Sequence, residues 1–272
     1  MSNVRIWHQS ITDLEVLPAY RQNLQSIAAR LARSDTSVVI HGVSPGTYPK
    51  GMAPIAALRY PWLHHLLTTQ VVQGAIAAEE AGFDAVAISC FFDPGLREAR
   101  SLVDIPVVSA CETSLIAALT TGEACGLIAL DTHHAGFLGR LVSAYGLSGR
   151  VAAITPLDPA VTELELEGEV KPTELLERME RAAWHAVRAG ADVLVPAEGV
   201  LNSMLVAEGI RSLAGAPVID GFAAVIAHAE MLVHLRRKAA LSVSRLGALA
   251  RPGKAAALHM QEKAADTLRA RR

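Results

Sequence analysis

The chain predicts an α/β fold of two similar lobes, each a mainly parallel sheet flanked by helices, related by a pseudo-two-fold axis. Three observations lead there. The composition is 51% hydrophobic but only 4% aromatic, so the core must be built from Ala, Val, Leu and Ile, the mixture of parallel strands under Ala-rich helices. Short β-rich runs alternate with longer stretches of helical period. One strand–helix–strand pattern also occurs twice along the 272 residues.

The elements follow in order. "VRIW" reads as a strand at Val4–Trp7, and "YRQNLQSIAARLA" has helical periodicity. Ser37–His41 is the second strand, followed by a loop rich in turn formers, "GVSPGTYPKG". "HHLLTTQVVQGAIAAEEAG" is a helix closed by glycine and leads into the strand Ala85–Ser89. Asp93 then caps a short helix whose first position is Pro94, an arrangement both residue types favour. Strands follow at Val107–Ala110, Gly126–Leu130 and Val151–Thr155, with the helix "AGFLGRLVSAYG" between the last two. "PTELLERMERAAWHAVRAG" is helical, Val193–Val195 and Val218–Asp220 are strands, and "FAAVIAHAEMLVHL" is a helix.

The internal echo sets the architecture. "AGFDAVAISC" from Ala81 lies over "AGADVLVPAE" from Ala189 without gaps, so Gly82 falls on Gly190 and Cys90 on Glu198. Each copy continues through a helix to a Pro-Val pair, the second with three extra residues before Pro217. We divide the chain into a first lobe of residues 1–112 plus 222–272, including a C-terminal helical tail, and a second lobe of 113–221.

Bulk properties narrow the function. A net charge of −2 gives no overall attraction to nucleic acid or anionic membrane, although residues 236–272 carry ten Lys/Arg against two Asp/Glu. That tail reads as solvated and partly helical, with the capacity to pack between subunits of a homo-oligomer. No basic segment followed by a long apolar stretch opens the chain, and no run of about 18 apolar residues occurs, so a cytoplasmic protein is expected. Cys90, Cys111 and Cys125 fit reduced thiols, and their spacing is no zinc signature. Phosphate-cradling glycine motifs are missing, which disfavours nucleotide binding. No cofactor or metal is expected.

Ligands of open parallel sheets gather at the carboxyl ends of the strands, where Cys90 and Glu198 both fall. Facing lobes would bring these side chains to one molecule from opposite sides, an arrangement that suits removal of a proton on one face and its return on the other. A helix N-terminus after Cys90 would lower its thiol pKa. Glu198, costly to bury unpaired, either caps a helix or serves as acid/base, with desolvation raising its pKa. Candidate substrate contacts are His8, Gln9 and Ser10 after the first strand, His41 and Tyr48 around the turn-rich loop, Phe91 beside Cys90, Glu112, and Thr132, which is also placed to cap the next helix. Cys111 and Cys125 read as core.

At "SCFFDPGL" together with "APVIDGFAAVIAHAEMLV" the sequence resembles the Asp/Glu/hydantoin racemase superfamily. "WHQSIT" resembles the segment after that family's first strand, "SACETSLIAAL" its Gly-x-x-Glu-Ala segment, which puts Glu112 on a family position, and "YGLSGRVAAITPLDP" its linker. The resemblance implies two α/β lobes, no cofactor, and two cysteines on opposite faces of a substrate, of which Cys90 matches the first. At the second the chain departs. Where the family has Leu-Gly-Cys-Ala-Gly-Met, this chain reads Leu194-Val195-Pro196-Ala197-Glu198-Gly199-Val200. Counting from Gly190 puts Glu198 on the missing cysteine; aligning Gly199 with the motif's glycine puts Ala197 there. The leading expectation is a cofactor-independent racemase or isomerase of a small carboxylate or cyclic amide. A single-cysteine decarboxylase or hydrolase, and a non-catalytic ligand-binding protein, stand beside it.

Overall fold

The computed structural model describes residues 3–162 and 172–269. Its first sheet is parallel with order β2-β1-β3-β4, from β1 (Val4–Gln9), β2 (Thr36–His41), β3 (Ala85–Ile88) and β4 (Val107–Ser109). The second is also parallel, order β6-β5-β7, from β5 (Cys125–Ala129), β6 (Val151–Pro156) and β7 (Val193–Pro196). Val218 extends it by a single bridge to Leu194, which completes the same strand order as in the first sheet. The strand expected at Val218–Asp220 is therefore reduced to that bridge. Its end is claimed by Asp220, whose carboxylate accepts from the amides of Phe222 and Ala223 and so starts a helix. Ala216–Pro217 instead pairs with Ser212–Leu213 in a short hairpin absent from the sequence expectations.

Burial explains which runs became central strands. β3, β5 and β7 are buried along their whole length, as strands covered on both faces must be. The edge strand β2 alternates in exposure.

The helices are α1 (Pro18–Leu31), α2 (Pro54–Leu58), α3 (Pro61–Glu80), α4 (Leu96–Leu102), α5 (Ala110–Leu119), α6 (Thr132–Ala144), α7 (Pro172–Arg188), α8 (Gly199–Ala207), α9 (Gly221–Ala239) and α10 (Lys254–Arg269). On the first sheet, Val86, Ile88 and Val107 face α3 and α4, whereas Ile6, Ala85, Ala87 and Val108 face α1 and α9. On the second, Ile128 and Leu194 face α7 and α8, and Leu127, Ala129, Val193 and Val195 face α6 and α5. The last helix of each half therefore covers the other half's sheet: α5 leaves β4 for the second, and α9 leaves Val218 for the first. The two exchanged helices also pack on each other, with Gly221 against Phe91 and Ser114. No helix among the described residues is long and apolar enough to cross a membrane.

The repeated Ala-Gly-x-Asp has the same task in both copies. Gly82 and Gly190 take positive φ (73° and 105°) just after α3 and α7, where L side chains are strained. Two residues on, Asp84 accepts from the Arg5 amide at the start of β1 (2.8 Å), and Asp192 accepts from the Glu123 and Ala124 amides at the start of β5 (2.8 and 3.0 Å). Each aspartate ties an incoming strand to its neighbour and fixes the register that delivers Cys90 and Glu198 to matching strand ends.

Candidate active site

The copies diverge after the strand. In the second, the helix begins at once, and Glu198 is its N-cap. One carboxylate oxygen, Oε2, accepts from the amides of Val200 (2.6 Å) and Leu201 (3.0 Å), and the Gly199 amide also acts on the carboxylate. Burial raises its pKa and these amides oppose the rise. In the first copy a turn separates Cys90 from α4, which starts at Leu96 after a left-handed Gly95. The expected cap by Asp93 with Pro94 at the first helical position is therefore not formed, because the chain turns through positive φ at Asp93 (44°).

Asp93 caps a different helix. Its buried carboxyl accepts from the amides of Cys111 (3.0 Å) and Glu112 (2.9 Å) in the first turn of α5, from Ser109 Oγ (2.5 Å), and from Tyr145 Oη (2.5 Å) at the end of α6. One side chain thus joins the Cys90 turn to a swapped helix and to the second lobe. Burial pushes this carboxyl up to about 6 against the pull of those four donors.

With no helix N-terminus behind it, the Cys90 thiol is not activated as expected. Burial is the largest effect and carries its pKa well above the ordinary thiol range; the Phe92 amide lowers it, and the charges of Asp93 and Glu198 raise it further. Cys90 at rest is a protonated thiol.

Cys90 and Glu198 lie close enough for the carboxylate charge to act on the thiol. Tyr20 of α1 feels both, and Tyr48 feels Cys90. Tyr48 packs against the cluster that contains Cys90, from the turn-rich loop, and its hydroxyl donates to Ile11 O (2.5 Å). The loop is tied down by Asp13, which accepts from the Gly46 amide (2.8 Å). His8 is buried on the sheet face that meets α1 and α9. Its Nδ1 has no partner, and burial lowers its pKa to about 4, so it is a neutral imidazole at neutral pH.

Other candidates are engaged elsewhere. Gln9 points to the opposite face, accepting from Trp7 Nε1 and donating to Ser10 O and Gly42 O. Ser10 Oγ accepts from the Thr12 amide. His41 is stacked on the Trp7 ring at 3.3 Å. Phe91 fills the seam beside Gly221, and Glu112 makes a two-pronged ion pair with Arg100 (2.8 and 2.5 Å). Thr132 is exposed at the start of α6, but the cap there is Asp131, which accepts from the His134 amide (2.7 Å). Cys111 lies inside α5 rather than at a strand end; like Cys125 it is buried.

Sequence reasoning missed three features. Tyr20 stands on a helix with no motif to mark it. Arg59, after α2, pairs with Asp131 across the lobes. Phe92, two residues from Cys90, stacks on the buried His134 of α6 at 4.9 Å. The adjacent pair His133-His134 gave no signal, since only burial separates the two.

Two helix-swapped α/β lobes with titratable groups at equivalent strand ends define the two-lobed racemase class of proteins. A family model described as Asp/Glu/Hydantoin racemase matches residues 18–229, and the chain belongs to that family. It is 30% identical to the hydantoin racemase of Pseudomonas sp. (strain NS671) over 220 residues, which cover 81% of this chain and 83% of that one. Its fold is similar to allantoin racemase from Pseudomonas fluorescens, with a TM-score of 0.73 at 24% identity over 92% of this chain and 97% of that one. Allantoin racemase from Klebsiella pneumoniae gives a TM-score of 0.72 at 22% identity, covering 93% and 95%.

Proposed function

We propose that the protein racemises a small cyclic amide of the hydantoin type without a cofactor, using Glu198 and Cys90 as unlike bases on opposite faces of the ring. The observation that carries this reading is the equivalence of the two residues at the ends of β3 and β7, within electrostatic reach of each other. In such a ring the reacting carbon lies beside a carbonyl, so the electron pair left by the departing proton spreads onto oxygen.

Glu198 removes the proton through its carboxylate, whose Oε2 is held by the Val200 and Leu201 amides. The C–H bond breaks, an O–H bond forms on the carboxyl, and an enolate develops. The Cys90 thiol then gives its proton to the other face, leaving a thiolate beside a neutral carboxylic acid. Loss of the carboxyl proton to solvent and gain of one by the thiolate restore the starting state. A carboxylate held by the amides of its own helix and a thiol kept protonated by burial favour this order. The opposite enantiomer requires thiolate and carboxylic acid, a rarer form of the empty enzyme. Saturation behaviour should therefore differ between the enantiomers.

The test uses resolved 5-methylhydantoin, 5-benzylhydantoin and allantoin in D2O. Optical rotation should decay while deuterium enters the reacting carbon. Cys90→Ala and Glu198→Gln should each lower kcat at least about 1000-fold, as expected for removal of a proton-transfer group. Full activity in Cys90→Ala would overturn the assignment. Release of carbon dioxide from a substituted malonate, without racemisation, would move the protein to decarboxylase chemistry.

A further inference from the structure

We propose that Tyr145 is a positioning residue for Cys90, its hydroxyl holding the turn that carries the thiol in register with the lobe that carries Glu198. The proposal rests on the racemase reading above and goes beyond it by naming what fixes the two proton-transfer groups relative to each other.

The two groups are held in different ways. Glu198 is fixed by its own helix, whose first amides bind the carboxylate. Cys90 has no helix at its back, since α4 starts only at Leu96. It sits in a turn closed by the Asp93 amide, which donates to Cys90 O (3.1 Å). Asp93 takes positive φ there (44°), a conformation that persists only where the surroundings hold it. Those surroundings belong largely to the second lobe. Phe91 packs in the cluster with Leu127, Val193 and Val195, Phe92 stacks on His134 of α6, and the Asp93 carboxyl accepts from Tyr145 Oη at 2.5 Å. Ser109 Oγ donates to the same carboxyl at 2.5 Å and lies 3.5 Å from Cys90 O, on the first-lobe side of the turn.

Tyr145 is the link whose loss can be isolated. Its ring packs against both the cluster that contains Cys90 and the cluster under the second sheet. In the latter, Leu138 and Val142 of α6 meet Val193 and Val195 of β7, the strand that delivers Glu198. The path from one base to the other therefore runs from Glu198 through β7, α6, Tyr145 and Asp93 to Cys90. At neutral pH the Asp93 carboxylate only accepts, so the Tyr145 hydroxyl donates. A displacement of about 1 Å in a reacting group can cost about 100-fold in rate. A thiol that drifts no longer delivers its proton to the far face, while the carboxylate on its own helix still takes one away.

The decisive experiment compares wild type, Tyr145→Phe and Cys90→Ala on the three ring substrates named above, each enantiomer in D2O, with inversion read by optical rotation and deuterium uptake by mass spectrometry. In the enantiomer that Glu198 deprotonates, a proton returned by Glu198 after exchange with solvent leaves label without inversion. Tyr145→Phe should lower kcat for inversion by about 10- to 100-fold with KM changed less than about 3-fold, while total deuterium uptake falls less than about 3-fold. Labelled substrate of unchanged configuration should then accumulate, as in Cys90→Ala. The thermal midpoint should drop by about 3–6 °C, the cost of one hydrogen bond to a charged acceptor in a chain of this size. Unchanged inversion in Tyr145→Phe overturns the proposal. So does a parallel loss of inversion and uptake, whatever the midpoint, since that is the mark of packing alone. If wild type inverts none of the three rings, the racemase reading fails, and this proposal with it.

Discussion

At the scale of single residues, burial shifts two carboxyls, a thiol and two imidazoles. As the proposed base Glu198 must be ionised, and its pKa is raised, so kcat/KM should fall on the acid side at a pH above the ordinary carboxyl range. As the proposed acid Cys90 must be protonated, and burial raises its pKa, so activity should hold through neutral pH into the alkaline range. A pH–rate profile with its acid limb below pH 4 would contradict this. The buried histidines govern stability instead. His8 and His134 remain neutral in the folded protein down to about pH 4. Unfolded histidines take up a proton near 6.5, so the unfolded state binds more protons between those values, and stability must fall as pH drops through that window. Asp93, raised to about 6, acts in the opposite sense from about pH 4 to 6, where the folded state binds the extra proton. His134→Phe, which keeps the stack on Phe92, should remove up to about 3 kcal/mol of the acid loss. Urea unfolding at pH 7 and pH 4.5 measures it; an unchanged difference would show that His134 is already protonated in the folded state.

At the scale of elements, the strands were readable because their signal is local. Fully buried parallel strands are continuous apolar runs, and seven of the eight expected strands formed within a residue or two of the predicted ends. Val218–Asp220 failed because a three-residue run cannot announce that its last member will cap a helix. The Asp93 cap failed for a similar reason. Asp-Pro is a fair local signal for a helix start, but the amides that claimed the carboxyl belong to α5, eighteen and nineteen residues away. The α5–α9 contact has its own test. A methyl group at Gly221 would sit 2.6 Å from the Phe91 ring and 3.0 Å from Ser114 Oγ. Phe91 is itself packed, so Gly221→Ala should destabilise by about 1–3 kcal/mol in urea unfolding. A neutral result would mean that the two swapped helices are looser than their packing implies.

At the scale of the whole molecule, the internal echo carried more information than any motif. An offset of 108 residues relates Gly82, Asp84 and Cys90 to Gly190, Asp192 and Glu198, and β3 to β7. It made the two-lobed plan and the equivalent positions of Cys90 and Glu198 after their strands visible before any coordinates. Arg59 and Phe92 could not be found that way, since their partners Asp131 and His134 belong to the other half, and a single sequence does not show which residues of the two halves meet. The tail also needed the structure. Arg245 donates to Arg100 O and Val103 O at the end of α4 and pairs with Asp104, which fastens residues after α9 to the first lobe. Beyond it, Ala255, Ala256, His259 and Met260 of α10 are exposed. Removal of residues 254–272 should leave the thermal midpoint within about 2 °C; a drop of several degrees would show that α10 is buried against a second copy. The exchange of α5 and α9 reaches furthest. A polypeptide severed between β4 and α5, or between Val218 and α9, would strand a helix with fragments that have no apolar face for it, while the sheet it should cover lay bare. Neither half is an independent folding unit, and any common ancestor of the two halves would have had to work as a pair of identical chains clasping each other.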